Sequence, residues 1–158
     1  MTPIITAFED SPDEGQGQAR DMRVRWAFEE VGQPYDVRLV SFAAMKEPAH
    51  LALHPFGQIP TYEEDDLALF ESGAILMYLA EKSGKFMPKD MASKYEVIQW
   101  LMIQVSGIGP AFGNFTHFNL FAPKPNDYAL SRYKTELLRL YDLEDGVIRV
   151  DWQDIAQV

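Results

Sequence analysis

The spacing of apolar and polar residues divides the first half of the chain into short alternating elements. Residues 3–8 are rich in β-forming side chains and are followed by an acidic segment with proline and glycine, which predicts a short buried strand. Residues 19–32 carry apolar side chains every three or four positions and end in glycine, which predicts an amphipathic helix. Residues 35–39 alternate and predict a half-buried strand, and residues 42–53 predict a second helix that is interrupted near Pro48.

A strand hairpin and a third helix follow. Residues 59–62 and 67–70 are mostly apolar and flank the acidic sequence EEDD, which predicts two short strands joined as a hairpin. We expect the next helix to begin at Ser72, whose hydroxyl is suited to cap it. The predicted order β-α-β-α-β-β-α is typical of an α/β layer with mixed strand directions.

Strand signals fade in the second half, where the pattern predicts helices alone. Residues 92–105 and 128–141 have helical spacing and are separated by a segment with two glycines and a proline and by the loop APKPND. We therefore predict an α/β plus all-α architecture in two domains, with boundaries at residues 1–84 and 85–158.

Composition and charge exclude several classes of protein. Hydrophobic residues make up 47% of the 158 residues, so the chain can bury a core and is not a disordered protein. The net charge of −10, with no run of basic residues, argues against nucleic acid as a partner. No segment approaches the roughly 20 apolar residues that a membrane span needs. We therefore expect a soluble, cytoplasmic protein without a membrane partner.

The absence of cysteine restricts the chemistry of the protein's own side chains. It excludes a cysteine nucleophile, a CxxC redox pair and a thiolate zinc site. The three histidines, His50, His54 and His117, are too scattered in the sequence to indicate a metal cluster, so we expect no metal. Any sulfur chemistry must therefore come from a ligand.

The segment HPFGQIPTYEEDDLALFESGAILMYLAEK resembles the N-terminal domain of glutathione S-transferases. The pattern of that family runs N-P-x-G-x-[IV]-P-x-L, then an acidic hairpin, then E-S-x-A-I-x-x-Y-L, and the spacing matches without a gap. The helical segments QWLMIQVSGIGPAFGNFTHFNLFAP and YALSRYKTELLRLY are similar to the bacterial nu class of the family. The resemblance covers residues 3 to about 141 and implies a thioredoxin-like domain followed by a helical bundle, in agreement with the predicted elements.

The resemblance also implies a function. Members of the family are glutathione transferases of detoxification, and the expectation is a homodimer that conjugates glutathione, as co-substrate, to a small electrophile or uses it to reduce a disulfide. The alternative is a non-catalytic thioredoxin-fold binding or scaffold protein. Two departures from the family pattern support this alternative: the longer segment SPDEGQGQARDM before the first helix, and only 74 residues after Gly84, which predicts a truncated relative with an incomplete helical domain.

The resemblance places glutathione-binding residues at the hairpin and at the helix that follows it. Pro60 would be a cis-proline, which frees the backbone of Ile59 to pair with the cysteinyl part of glutathione. Glu71 and Ser72 would bind the γ-glutamyl group, since a helix N-terminus attracts its carboxylate and a side-chain carboxylate attracts its ammonium. Gln58 would contact the glycyl end. The alternatives are a trans proline, an ordinary serine cap and a glutamine that faces water.

The resemblance also implies two residues that activate the glutathione thiol. Ser11 follows the first strand, where the family has a hydroxyl donor to the thiolate; the alternative is a turn serine before proline. Asp13 replaces the asparagine of the nu-class sequence T-P-N, and a carboxylate there would repel a thiolate. Arg20, near the start of the first helix, would offset that repulsion, or else lie on the surface as a solvated arginine.

Overall fold

The protein folds into two compact units, Met1–Lys94 and Tyr95–Val158. The structure is a computed structural model and describes residues 1–11 and 19–147. The first unit contains strands and helices, and the described part of the second unit is helical. The predicted combination of an α/β part with an all-α part is therefore confirmed.

A four-stranded mixed sheet forms the centre of the first unit, in the order β2-β1-β3-β4. The strands are β1 (Ile4–Phe8), β2 (Asp36–Val40), β3 (Thr61–Glu64) and β4 (Leu67–Phe70). β1 and β2 are parallel, whereas β3 runs antiparallel to both β1 and β4. The mixed directions follow from the connections, because a helix joins β1 to β2 and a two-residue turn joins β3 to β4.

Two helices and one short turn connect these strands, and a third helix follows β4, in the predicted order. The helices are α1 (Asp21–Val31), α2 (Pro48–Leu51) and α3 (Ser72–Ser83), and a 3₁₀ turn covers Ala44–Lys46. α1 ends at Gly32, which adopts φ 70°, a left-handed conformation that glycine reaches without steric cost. Pro48 is the first residue of α2, where the missing N–H is not needed. The predicted interruption near Pro48 is therefore confirmed.

The main core of the first unit lies between the sheet and the helices α1 and α3. Its buried residues are Ile5, Val24, Ala27, Phe28, Tyr62, Ile75 and Leu79. In α1 the second and third members lie three and four residues after Val24, and the two members in α3 are four residues apart, so each set lies on one face of its helix. A second cluster contains Val40, Met45 and Ile59. This second cluster buries the side chain of the residue that precedes Pro60.

The prediction that residues 35–39 form a half-buried strand is wrong in its burial. β2 forms, but Val37 is 36% exposed and Leu39 is 60% exposed. β2 is an edge strand that pairs with β1 alone, so neighbouring elements do not cover it as they cover a central strand.

Helix α4 (Met91–Ile103) begins in the last residues of the first unit and continues into the second, whose described part also contains α5 (Gly109–Thr116) and α6 (Asp127–Val147). π-helical turns at Gln104–Ile108 and His117–Phe121 join α4 to α5 and extend α5. The predicted break around Gly107, Gly109 and Pro110 is therefore wrong. The proline follows the π-helical turn and lies in the first turn of α5, a position that prolines often occupy.

A small core holds α5 and α6 together. Its buried members are Ala111, Leu137 and Leu140, with Ile108 and Phe115 packed against them. Among the helices in residues 1–11 and 19–147, none combines the length and apolar character needed to cross a membrane.

Candidate functional site

Strand register brings three chain segments together at one end of the strands of the sheet. Thr61 lies opposite Phe70 in the β3–β4 pair, so Pro60 and Glu71, the next residues outward, lie at the same end. The Thr61 amide donates to Thr6 Oγ1 at 2.8 Å, which places the last residues of β1 beside the start of β3. We call this region the cis-proline edge and define it by Ile59, Pro60, Glu71 and Ser72.

The peptide bond between Ile59 and Pro60 is cis, as the resemblance implied. The Ile59 side chain is 7% exposed and belongs to the second cluster of the first unit. Neither its backbone N–H nor its C=O makes a hydrogen bond to any described residue. Both groups are thus available to pair with a further extended chain.

The segment that leads into Ile59 is held by side chains of the preceding turn and helix. Lys46 Nζ donates to the Gly57 carbonyl at 2.9 Å, and His50 Nε2 lies 2.7 Å from the Gln58 carbonyl oxygen. Gly57 has φ 58°, and an added Cβ would lie 2.6 Å from the Met45 carbonyl oxygen. This position therefore requires glycine.

Glu71 and Ser72 form the start of α3, but Ser72 does not have the predicted cap role. Glu71 occupies the N-cap position and makes no side-chain cap hydrogen bond, and Ser72 is the first helical residue. The prediction that Ser72 caps the helix is therefore wrong. The first hydrogen bond of the helix runs from the Ile75 amide to the Glu71 carbonyl at 3.0 Å. The three preceding N–H groups have no helical acceptor and favour a negatively charged group.

The conformation of Glu71 is unusual for a residue with a side chain. Its φ is 71°, in the left-handed region that non-glycine residues seldom adopt. Such positions occur preferentially at binding and catalytic sites. The Glu71 residue is exposed, so its carboxylate lies in solvent beside the amide groups of the α3 N-terminus. One location thus offers a carboxylate that can bind an ammonium group and N–H donors that can bind a carboxylate group.

His54 lies directly behind this location, and the sequence analysis does not predict this position. It is 2% exposed, and its ring centroid is 4.9 Å from that of Phe70, the residue before Glu71. Burial lowers the pKa of His54, the Glu71 carboxylate opposes this shift, and His50 and Lys46 reinforce it. The signal available in the sequence was the histidine at the position where the family pattern has asparagine.

Ser11 and Arg20, the predicted activators of a thiol, flank the segment between β1 and α1. Ser11 is half-buried and lies three residues beyond the end of β1, whereas Arg20 is exposed and immediately precedes α1. Because β1 and β2 are parallel and α1 connects them, the start of α1 lies at the same end of the sheet as the end of β1. Asp13 lies outside the described residues. The Gln58 side chain is exposed.

The described residues contain no group of three or more His, Asp or Glu side chains that could hold a metal ion. The ligand chemistry of the cis-proline edge is instead that of backbone groups, one carboxylate and one helix N-terminus. Such a set suits a peptide-like molecule that carries both an ammonium and a carboxylate group.

Comparison with known proteins identifies close similarity to one family. The model of the family "Glutathione S-transferase, N-terminal domain" matches residues 14–81. The chain is 37% identical over 140 residues to the glutathione S-transferase-like protein gedE of Aspergillus terreus, which covers 85% of this chain and 62% of that protein. It is 43% identical over 101 residues to the disulfide-bond oxidoreductase YfcG of Escherichia coli, which covers 60% of this chain and 47% of that protein. The chain thus spans less than two thirds of either relative.

Solved structures give the same result. A glutathione transferase family member from Pseudomonas fluorescens, with two glutathione bound, superposes with a TM-score of 0.80 at 37% identity and covers 92% of this chain and 65% of that one. A glutathione transferase from Pseudomonas putida, with one glutathione disulfide bound per subunit, gives a TM-score of 0.81 at 33% identity and covers 92% and 64%. The expected thioredoxin-like domain followed by a helical part is therefore confirmed.

Proposed function

The chain belongs to the glutathione S-transferase family, and on this basis we propose that it binds glutathione at the cis-proline edge and is a glutathione-dependent enzyme. The observation that carries the proposal is the position of the unpaired Ile59 backbone beside the start of α3. In this arrangement one extended ligand reaches both a strand-like edge and a helix N-terminus. Glutathione is the co-substrate, and no metal is part of the proposal.

The three parts of glutathione match three features of the edge. The cysteinyl backbone pairs with the N–H and C=O of Ile59 as an added strand. The γ-glutamyl carboxylate accepts from the N–H groups at the start of α3 and from the Ser72 hydroxyl, while its ammonium pairs with the Glu71 carboxylate. The glycyl end lies next to Gln58.

The proposed chemistry requires a thiolate on the ligand, because the chain has no cysteine. A free thiol with a pKa of about 8.5 is mostly protonated at neutral pH. A hydrogen bond from the Ser11 hydroxyl and the positive charge of Arg20 both favour the thiolate and lower that pKa. The side chain of Ser11 is thus the proposed donor and Arg20 the proposed electrostatic partner.

Two reactions follow from an activated thiolate. In conjugation its sulfur forms a bond to the carbon of an electrophile as a leaving group departs with the bonding electrons. In disulfide exchange it forms a new disulfide with one sulfur of the substrate and releases the other as a thiolate. The similarity to a disulfide-bond oxidoreductase favours the second reaction as an additional candidate. A homodimer in the cytoplasm, acting in detoxification, is part of the proposal.

Replacement of Glu71 tests the site. Glu71→Gln keeps the shape of the side chain and removes its charge, so affinity for glutathione should fall tenfold or more, since a hydrogen bond to a charged group contributes about 1.5 to 3 kcal/mol. Isothermal titration calorimetry measures this change.

Glu81→Gln provides the matched control, because Glu81 is an exposed carboxylate near the far end of α3. It should bind glutathione as the wild type does. An unchanged affinity for Glu71→Gln would remove the proposed γ-glutamyl site. A wild-type chain that binds glutathione but converts neither a generic electrophile nor a small disulfide would favour the non-catalytic alternative.

A further inference from the structure

His50 connects helix α2 to the segment that enters the cis-proline. The residue is 6% exposed, and its Nε2 atom lies 2.7 Å from the carbonyl oxygen of Gln58. A carbonyl oxygen only accepts hydrogen bonds, so Nε2 carries the proton and donates it. The histidine is therefore held in one tautomer by a backbone group two residues before Pro60.

This hydrogen bond controls the direction of a second backbone group. The peptide unit between Gln58 and Ile59 is planar and trans, so its C=O and N–H point in opposite directions within one rigid plane. When His50 fixes the Gln58 C=O, it also fixes the direction of the Ile59 N–H. That N–H makes no hydrogen bond to a described residue and is the donor that the proposed function assigns to the cysteinyl part of glutathione.

Neighbouring contacts restrain the two preceding peptide units in the same way. Lys46 Nζ donates to the Gly57 carbonyl, and the Gly57 amide donates to the His54 carbonyl at 2.8 Å. Lys46 is exposed, however, whereas His50 is buried, so water can replace the lysine more readily than the histidine. The buried histidine is thus the principal restraint on the Gln58–Ile59 peptide unit.

We propose that His50 is a positioning residue for glutathione, which acts on the ligand through the Gln58–Ile59 peptide unit and does not touch it. The proposal rests on the proposed function, since it concerns the same site. The Ile59 N–H is paired equally in the ground state and in the transition state. Loss of the His50 bond should therefore raise KM for glutathione and leave kcat nearly unchanged.

Two substitutions distinguish the effect of the hydrogen-bond donor from the effect of side-chain size. His50→Leu fills similar space without a donor, and affinity for glutathione should fall about tenfold, which is the effect of losing one hydrogen bond. His50→Gln places an amide N–H near the position of Nε2, and affinity should stay within about threefold of the wild type. KM for glutathione should change in parallel with the dissociation constant in both variants.

His117→Leu is the matched control, because it makes the same substitution at an exposed histidine in the helical unit. It should bind as the wild type does. If His50→Leu binds glutathione like the wild type, or if His50→Gln is as weak as His50→Leu, the proposal is wrong. Weak binding by Glu71→Gln combined with unchanged binding by His50→Leu would overturn this inference and leave the proposed function intact. A wild type that does not bind glutathione would overturn both.

A measurement on the wild type covers the case in which His50→Leu does not fold. Nitrogen-15 NMR of the imidazole rings distinguishes a protonated Nε2 from a protonated Nδ1. The proposal requires the Nε2–H form of His50, with and without glutathione. The Nδ1–H form would overturn it.

Discussion

His54 is a titratable residue in an environment that disfavours its charged form. Its ring is almost fully buried, and its Nδ1 atom has no hydrogen-bond partner within the described part of the chain. Burial lowers its pKa, and the titratable groups that affect it are Glu71, which opposes the shift, and His50 and Lys46, which add to it. The folded protein therefore holds the ring in its neutral form at neutral pH.

The stability of the fold should depend on pH through His54. The unfolded chain takes up a proton near the ordinary pKa of 6.5, and the folded chain does so only at lower pH. Stability is therefore complete above pH 6.5 and falls as the pH decreases below it. His54→Asn introduces the residue of the family pattern, which does not titrate. Between pH 7.5 and about 5.5 the variant should therefore lose less stability than the wild type.

Urea unfolding at the two pH values measures the difference, with His117→Asn as the control for loss of an exposed histidine. Parallel pH dependence in the wild type and His54→Asn would contradict this account of His54.

Individual residues were predictable where a motif fixes their place along the chain. The cis bond before Pro60 and the location of Glu71 at the start of α3 both follow from the family pattern. The predicted cap role of Ser72 is wrong, because Glu71, whose backbone is left-handed, occupies the cap position one residue earlier. No preference of glutamate for this conformation exists that a sequence pattern could reveal. The role of His50 does not follow from the sequence, since its carbonyl partner depends on a tertiary contact.

Among the elements, α3 is attached to the β3–β4 hairpin by hydrogen bonds to Glu64. This residue of β3 accepts hydrogen bonds from Tyr62 at 2.7 Å, from Tyr78 at 3.1 Å and from Lys82 Nζ, whose distance to Oε2 is 2.6 Å. The Lys82 hydrogen bond is the main cause of the lowered pKa of Glu64, and burial is the main cause of the raised pKa of Tyr62. These bonds fix the orientation of α3, whose other end forms the cis-proline edge.

Removal of the lysine should loosen this attachment. Lys82→Met should lower the free energy of unfolding at pH 7 by about 1.5 kcal/mol, since it removes a charge-assisted hydrogen bond from a largely buried carboxylate. Lys94→Met, which removes an exposed ion pair with Glu81 at 3.7 Å, should lower it by less than about 0.5 kcal/mol.

The effect of Lys82→Met should also depend on pH. The pKa of Glu64 is lowered in the folded state, so its contribution is present above the ordinary value of 4.5 and is lost as the pH falls through the folded value. Urea unfolding should therefore show the wild type and Lys82→Met converging in acid. Equal effects of Lys82→Met and Lys94→Met at pH 7 would show that Glu64 does not fasten α3.

The type and order of the elements were predictable where the local spacing of apolar residues determines them. They were less predictable where contacts with neighbouring elements determine the structure. The order of strands and helices in the first unit follows from periodicity and turn residues. The exposure of β2 depends on its place at the edge of the sheet, which spacing does not encode. The continuous helical path through Gly107 and Pro110 depends on a π-helical turn that places the proline at a helix start.

At the scale of the whole molecule, the family pattern and the element order agree on a thioredoxin-like unit and a helical unit. The thioredoxin-like unit contains every residue of the cis-proline edge. The proposed glutathione site can therefore be tested on the chain as it is.

A crystal structure of the chain with glutathione would locate the bound ligand and so test the proposed site. We expect the cysteinyl backbone to pair with the N–H and C=O of Ile59 at about 2.9 Å. We also expect the γ-glutamyl carboxylate to lie at the amide groups around Ser72 and the ammonium to lie at Glu71. Glutathione bound elsewhere on the chain, or a cis-proline edge that stays empty at saturating glutathione, would contradict the account.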